Sequence, residues 1–388
     1  MKDQYHKLFH DFKPQIKNKK VGLFCNQVSF DFTVGKYLFQ MLAGYSQSVT
    51  VLVPEHGLFA EQQDQVPIED LKAYQHLDNT AQHVSLYINT RDKVDRISDS
   101  LHELDTLIID IQDIGVRYYT FLPTIAEIFK EVIKWSLQLS IVVIDRINPA
   151  GRQIEGTLLK EEFSSLIGLP GIPHRYGLTL GELCKYLRFQ NSGVFPLEII
   201  EKEDDEMPVN PSPNIPNTNT CMIFSGQCLL EGTNLSEGRG TTRPFEIFGA
   251  PFLSDLSGEW VVAWNKENTQ AVLRPLLFVP TFHKYKDQLC YGFQLHPREK
   301  IHVLLYSLKM IRSLKQNVRS MKWLEGPYEA GSDKPAIELL AGDDDILSYL
   351  NGAANEDAIL EKMSEQEHKW IELTKPFLLY DESLFQIS

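Results

Sequence analysis

Up to about residue 200 the chain alternates two hydrophobic patterns. Short runs rich in Val, Ile and Leu occur at 20–27 (KVGLFCNQ), 48–55 (SVTVLVPE), 84–89 (VSLYIN), 105–112 (DTLIIDIQ) and 139–146 (LSIVVIDR). Each is short, continuously apolar and rich in β-branched residues, as a strand buried on both faces requires. Between them the apolar spacing becomes helical. VGKYLFQMLAGY at 34–45 is one such stretch, and 120–138 is the clearest. There Phe121, Ile125, Ile128, Phe129 and Val132 fall at i, i+4, i+7, i+8 and i+11. A further helix is predicted at 179–191, opened by Thr179 with Glu182 three residues on, the pattern of a capping box.

Strands alternating with helices predict a parallel, doubly wound sheet covered on both faces. After about 200 the texture changes. MPVNPSPNIPNTNT at 207–220 reads as a long loop, and two aromatic-rich runs follow at 276–282 and 290–295. Helical patterns near 299–316, 335–350 and 356–375 close the chain. The reading is α/β with two domains: a mostly parallel sheet domain over 1–235 and a smaller α+β domain over 236–388. Between them stands LLEGTNLSEGRGTTRPFE at 229–246, crowded with charges and glycines and poor in residues to bury. It is either a solvated loop or a loop that faces a ligand.

Composition narrows the function. The 388 residues carry 38 basic and 52 acidic side chains, a formal net charge of −14, which disfavours nucleic acid and anionic membrane as partners. Five cysteines are odd in number and contain no CxxC pair, so they are expected to be core thiols. No apolar run approaches the roughly 18–20 residues of a membrane span. The polar start, MKDQYHKLFHDFKPQIKNKK, lacks the apolar core of a signal peptide. The sequence as it stands is therefore read as cytoplasmic, or as exported if a leader has been removed.

Three of the strand runs end in acids: Glu55 in PEHG, Asp110 in DIQDIG, and Asp145 in DRINP. If the strands are parallel, these acids share the carboxyl edge, where open α/β sheets bind ligands. His56, Arg117 and Arg146 accompany them. One such acid commonly caps a helix, whereas three together favour a polar cleft. No G-x-G-x-x-G follows the first strand, no complete P-loop or G-x-S-x-G elbow is present, and the eleven histidines form no HExxH. His174 is as readily a structural histidine as a ligand. What remains is acid–base chemistry by carboxylates with arginines, tyrosines and asparagines, a set suited to a sugar.

The motifs PEHG (54–57), DIQDIGVRYYTF (110–121), DRINPAG (145–151), IEG (154–156), IPHRYGLTLGEL (172–183), PSPNIPN (211–217) and EGTNLSEGRGTTRPFE (231–246) resemble the peptidoglycan exo-β-N-acetylmuramidase family, in the family's order and over nearly the whole chain. The resemblance implies a Rossmann-like first domain, a smaller second one and an active site in the cleft between them. It implies release of non-reducing terminal N-acetylmuramic acid without cofactor or metal. Glu55 becomes the favoured general acid, with His56 and Asp113 beside it as catalytic candidates. Asp110, Arg117, Tyr118, Arg146, Asn148, Glu231, Asn234, Glu237, Arg239 and Arg243 become substrate-binding candidates.

For the second catalytic group Asp113, Asp110, Glu231 and Glu237 all qualify, and the sugar's own acetamido group could replace them. Arg239 or Arg243 is expected to read the lactyl carboxylate, with Arg117 and Arg146 as competitors. Two departures from the family pattern stand out: Leu58-Phe59-Ala60 after PEHG, where an aromatic-Arg-Gly sequence is expected, and Ile147 in place of proline. The rival readings are a non-catalytic muropeptide-binding protein on the same fold and a metal-dependent hydrolase centred on His56 and Asp110.

Overall fold

The computed structural model describes residues 4–388 apart from 64–65, 69–70, 78, 88–89, 202, 204–206, 257, 299–300 and 330–331. Its centre is a six-stranded sheet in the spatial order Leu197–Ile200, Ser140–Ile144, Thr106–Asp110, Lys20–Cys25, Ser48–Val53, Gln82–Ser85. Every pairing within it is parallel. Numbered along the chain, that order is 6-5-4-1-2-3, the doubly wound Rossmann arrangement. The continuous apolar runs are buried as their pattern predicts. Thr106–Asp110 is buried at every position, and so are five of the six residues of Lys20–Cys25.

Two cores result, one on each face of the sheet. Leu23, Val51, Ile108, Val142 and Ile144 look toward one face and pack with the first helices. Phe24, Leu52, Leu107, Ile109 and Val143 look toward the other. There they meet helix Phe121–Lys134, whose Phe121, Ile125, Ile128, Phe129 and Val132 are all buried. This second core continues without a break into the later part of the chain, through Phe248, Leu308, Leu340 and Trp370.

Helix Leu180–Gln190 begins as its sequence predicts. Thr179 accepts the Glu182 N–H, and the Glu182 carboxylate takes the Thr179 N–H at 2.9 Å. The stretch at 34–45 divides differently, because residues 30–31 and 36–37 form a small hairpin before a helix over Leu38–Ala43. The strand expected at 84–89 lies at Gln82–Ser85, and positions 88–89 are outside the described residues. In the second half, Ala271–Phe278 and Cys290–Pro297 pair antiparallel with each other, and Ile247–Ala250 lies beside the latter. The helix expected near 299–316 runs over Val303–Asn317, with 299–300 outside the described residues. The predicted 335–350 helix is two, Ala336–Ala341 and Asp344–Leu350, broken at Gly342 and capped by Asp343. All five cysteines are buried and unpaired.

In Rossmann sheets the crevice between the first and fourth strands receives the ligand. Here it is filled by the protein itself. Asp110, fully buried at the end of the fourth strand, accepts the Tyr5 and Ser29 hydroxyls at 2.7 and 2.6 Å. Arg146 grips its other oxygen with two nitrogens, at 2.9 and 2.6 Å. Removing the carboxylate strands the Arg146 charge. Asp110→Ala is therefore expected to destabilise the fold by roughly 3–5 kcal/mol, read from urea denaturation. Tyr5→Phe, which leaves the ion pair intact, should lose far less.

Candidate active site

The chain crosses the carboxyl edge of the sheet in several loops, and beside the sealed crevice they enclose a cavity of about 240 Å³. Glu55 and His56 enter it from the loop after Ser48–Val53. Tyr118, Tyr119 and Thr120 enter from the loop after Thr106–Asp110. Later residues close the other side, among them Phe224, Cys228, Glu231, Arg239, Phe245, Tyr328 and Glu329. Tyrosine and phenylalanine faces make up much of the wall, with a few carboxylates and one guanidinium among the described residues.

The Glu55 carboxylate is held by the Thr120 hydroxyl, which donates to Oε2 at 2.6 Å. Behind it, the Thr124 hydroxyl donates to the Thr120 carbonyl at 2.7 Å, and the buried Lys93 ammonium donates to Thr124 at 2.9 Å. Burial pulls the Lys93 ammonium down from its usual range, against the opposing charges of Glu55, Glu127 and Glu329. His56 takes a left-handed backbone conformation, φ +71°, which a non-glycine residue adopts at a cost in strain. Its Nδ1 lies 3.1 Å from the Gln62 carbonyl. A carbonyl can only accept, so Nδ1 carries a proton.

The charged, glycine-rich stretch forms the opposite wall, and its charges are internally matched. Arg239 donates to Glu237 at 3.0 Å and to Glu231 at 3.1 Å, and its guanidinium lies over the Phe245 ring, 4.8 Å from the centroid. Glu237 also receives His283 at 2.9 Å and Lys284 at 3.0 Å. Burial opposes the Glu237 charge, but the Lys284 ammonium, the His283 hydrogen bond and Arg239 outweigh it and hold this carboxyl well below its usual range. The Tyr328 hydroxyl and the Cys228 thiol complete the surroundings of Glu231. Gly240, at φ +78°, shows why the stretch needs glycine: a side chain there would begin 2.6 Å from the Phe282 nitrogen. The loop is neither strand nor solvated coil, because its charges neutralise one another inside the protein.

Five of the residues singled out from sequence line the cavity: Glu55, His56, Tyr118, Glu231 and Arg239. The others lie elsewhere. Asp110 and Arg146 seal the crevice. Asp113 is buried against Tyr176 and the Gly115 N–H, and burial pushes its carboxyl up to about 6. Asn148 holds its own turn, bonding the Leu178 carbonyl and the Ala150 N–H. Asn234 bridges to the backbone of Ser320 and Lys322. Glu237 stands behind Arg239. Arg243 is exposed and pairs with Glu246 at 3.1 Å. Asp145, the third strand-end acid, accepts the Gly181 N–H at the start of helix Leu180–Gln190.

Arg117 does not face the cavity but ties its two sides together. Fully buried, it donates to the carbonyls of Thr157, Leu340 and Ala341 at 2.9–3.0 Å and lies 2.9 Å from His174 Nε2. Burial, and then the Arg117 charge, keep His174 well below its usual range, so the ring stays neutral and accepts. Among the described residues no group of three or more His, Cys, Asp and Glu side chains has the arrangement of a metal site, and no helix is long and apolar enough to cross a membrane.

Comparison with known proteins agrees with the motifs. Residues 21–219 match the family profile described as Exo-beta-N-acetylmuramidase NamZ, N-terminal, and 222–380 match its C-terminal counterpart. The chain belongs to the NamZ family. It is 32% identical over 322 residues to the peptidoglycan beta-N-acetylmuramidase NamZ of Bacillus subtilis, covering 79% of this chain and 75% of that one. Two crystal structures of DUF1343 family proteins from Bacteroides fragilis share its fold. One has a TM-score of 0.78 at 21% identity, with 97% of this chain and 98% of that one covered. The other has a TM-score of 0.70 at 23% identity, with 96% and 97% covered.

Within the NamZ motifs, sequence reasoning passed over Tyr119, Thr120, Ser212 and Asn214, all of which line the cavity. Each stands inside a quoted motif, so the signal was present. Tyr87, Tyr328 and Glu329 stand in none, and only the fold brings them in. Arg117→Met is expected to cost at least about 3 kcal/mol, because several buried carbonyls lose a charged donor. Arg117→Lys should recover only part of this loss, since one ammonium cannot reach all the carbonyls that the two arms of the planar guanidinium reach. Denaturation midpoints measure both.

Proposed function

We propose that this protein is an exo-acting glycoside hydrolase that removes non-reducing terminal N-acetylmuramic acid from peptidoglycan fragments. Membership of the NamZ family supports the reaction class. The observation that carries the reading is the Glu55 carboxyl, fixed by Thr120, in a cavity of about 240 Å³ that opens to solvent. That volume is below the roughly 300–1,000 Å³ of drug-sized ligand pockets. It suits one terminal sugar ring, not a length of glycan. Tyr118, Tyr119 and Tyr328 give that ring aromatic faces and hydroxyls to lie against.

In this mechanism Glu55 is the general acid. It gives its proton to the glycosidic oxygen as the bond to C1 breaks, and Thr120 keeps the carboxyl aimed. Glu55→Gln should cut turnover on peptidoglycan fragments by roughly 10²–10⁴-fold while leaving binding in place. The loss should shrink on an aryl muraminide, whose leaving group barely needs a proton. Equal losses on the two substrates would make Glu55 a nucleophile or a positioning residue. Lost binding with little change in turnover would point to a role in recognition alone.

Muramic acid differs from glucosamine by a lactyl ether bearing a carboxylate. We assign its recognition to Arg239, the guanidinium in the cavity wall, and not to Arg243. Charge-assisted hydrogen bonds contribute roughly 1.5–3 kcal/mol each, so Arg239→Ala should lower kcat/KM for a muraminide by about 10–150-fold. Any activity on the matching glucosaminide should hardly change. Arg243→Ala should leave both unchanged, and a narrowed preference in that variant instead would move the assignment to Arg243.

A further inference from the structure

Three carboxylates line the cavity, and their surroundings separate them. Glu231 is neutralised in place by Arg239, with Tyr328 and Cys228 closing around it. Glu55 and Glu329 are held differently. Glu55 stands on the loop after the second strand of the sheet, against the Thr120 hydroxyl. Glu329 arrives from the far part of the chain, in the loop ahead of helix Ala336–Ala341, and its Oε1 accepts the Leu166 N–H at 2.9 Å. Among the described residues Glu329 makes no ion pair. Its neighbours Leu166 and Ile167 line the same cavity, so the backbone that fixes the carboxylate also belongs to the wall.

We propose that Glu329 is the general base of the reaction, set across the cavity from the acid Glu55. The assignment rests on the muramidase reading above and extends it. In the balanced step, Glu55 loses its proton to the glycosidic oxygen as the C1–O bond breaks. Glu329 takes a proton from the water whose oxygen bonds to C1, and exchange with solvent then resets both carboxyls. The leaving sugar gains a hydroxyl, and nothing is oxidised or reduced.

The surroundings fit the two roles. The Leu166 N–H, the Ser165 hydroxyl and the Lys93 charge favour the Glu329 anion, as a base requires. Burial works against them, and the Glu55 charge adds to it, so the Glu329 carboxyl ends above its usual range and is the stronger base for it. Among the described residues the other titratable groups around this space are His56, Tyr87, Tyr118 and Tyr119, Lys93 behind Thr124, and Cys228, Glu231, Arg239 and Tyr328.

The test compares Glu329→Gln, Glu329→Ala and Glu55→Gln on a natural muropeptide and on an aryl muraminide. Glu329→Gln should lose roughly 10²–10⁴-fold in kcat on both substrates alike, since water attack needs the base whatever the leaving group. Its pH–rate profile should lose the acidic limb, because that limb records the base taking up a proton. Glu329→Ala should regain turnover with added azide or formate, which a merely structural residue would not show. A loss below tenfold, an intact acidic limb or no rescue overturns the assignment. Carboxyl carbon NMR titration supplies a readout independent of turnover. Glu55→Gln removes the like charge and should lower the Glu329 midpoint, and an unmoved midpoint removes the pair whatever the substrate. A protein inert on both muraminides, whose Glu329 midpoint nevertheless falls in Glu55→Gln, would overturn the muramidase reading and leave the placement of Glu329 near Glu55 standing.

Discussion

A guanidinium buried among backbone carbonyls holds the cavity together. Taking the Arg117 charge out of water is costly, and the cost is offset only because its donors find acceptors in three separate parts of the chain, at Thr157, His174 and Leu340–Ala341. Two of those acceptors, Leu340 and Ala341, are the last carbonyls of a short helix, groups that the helix cannot satisfy internally. A cation at that end also meets the negative pole of the helix. Gly342 makes the approach possible: at φ +60°, a side chain there would begin 2.6 Å from the Arg117 Nη2. The loop that carries Arg117 carries Tyr118, Tyr119 and Thr120 as well. The segment ahead of the helix carries Tyr328 and Glu329. One buried side chain thus ties the loop that carries Thr120, the partner of Glu55, to the helix that follows the Glu329 segment.

The same economy explains how a nucleotide-type sheet can serve another chemistry. The parallel strands deliver acids to one edge because each strand begins at the opposite edge. The crevice at the switch in strand order is closed by Tyr5, Ser29, Asp110 and Arg146, so no phosphate could enter it. The usable space is displaced toward the second strand. There the strained His56 backbone and the Thr120 contact shape the Glu55 loop. The acids at the three strand ends have three separate fates: Glu55 lines the cavity, Asp110 seals the crevice, and Asp145 caps a helix.

The sheet was legible because strands buried on both faces have to be continuously apolar, and the runs ending at Val53, Asp110 and Ile144 are. The capping box at Thr179 was legible for the same local reason. The site was only half legible. Sequence marks which residues are chemically unusual, but not whether a charge faces a ligand or another charge. Arg117, Glu237 and Arg243 carry the right chemistry, and their partners are carbonyls, lysine and glutamate of the same chain. Glu329 was missed because nothing local distinguishes its Pro-Tyr-Glu-Ala context. It shares a cavity with Glu55, 274 positions earlier in the chain, only because the fold brings the two segments together.

The central claim is that this cavity hydrolyses the muramic acid linkage and distinguishes it from the glucosamine one. The most direct measurement is release of a chromogenic aryl group from a β-N-acetylmuraminide beside the matching β-N-acetylglucosaminide, under identical conditions with the wild-type protein. Rapid release from the muraminide with little from the glucosaminide is the expected result. Equal release from both, or release from neither, would contradict it.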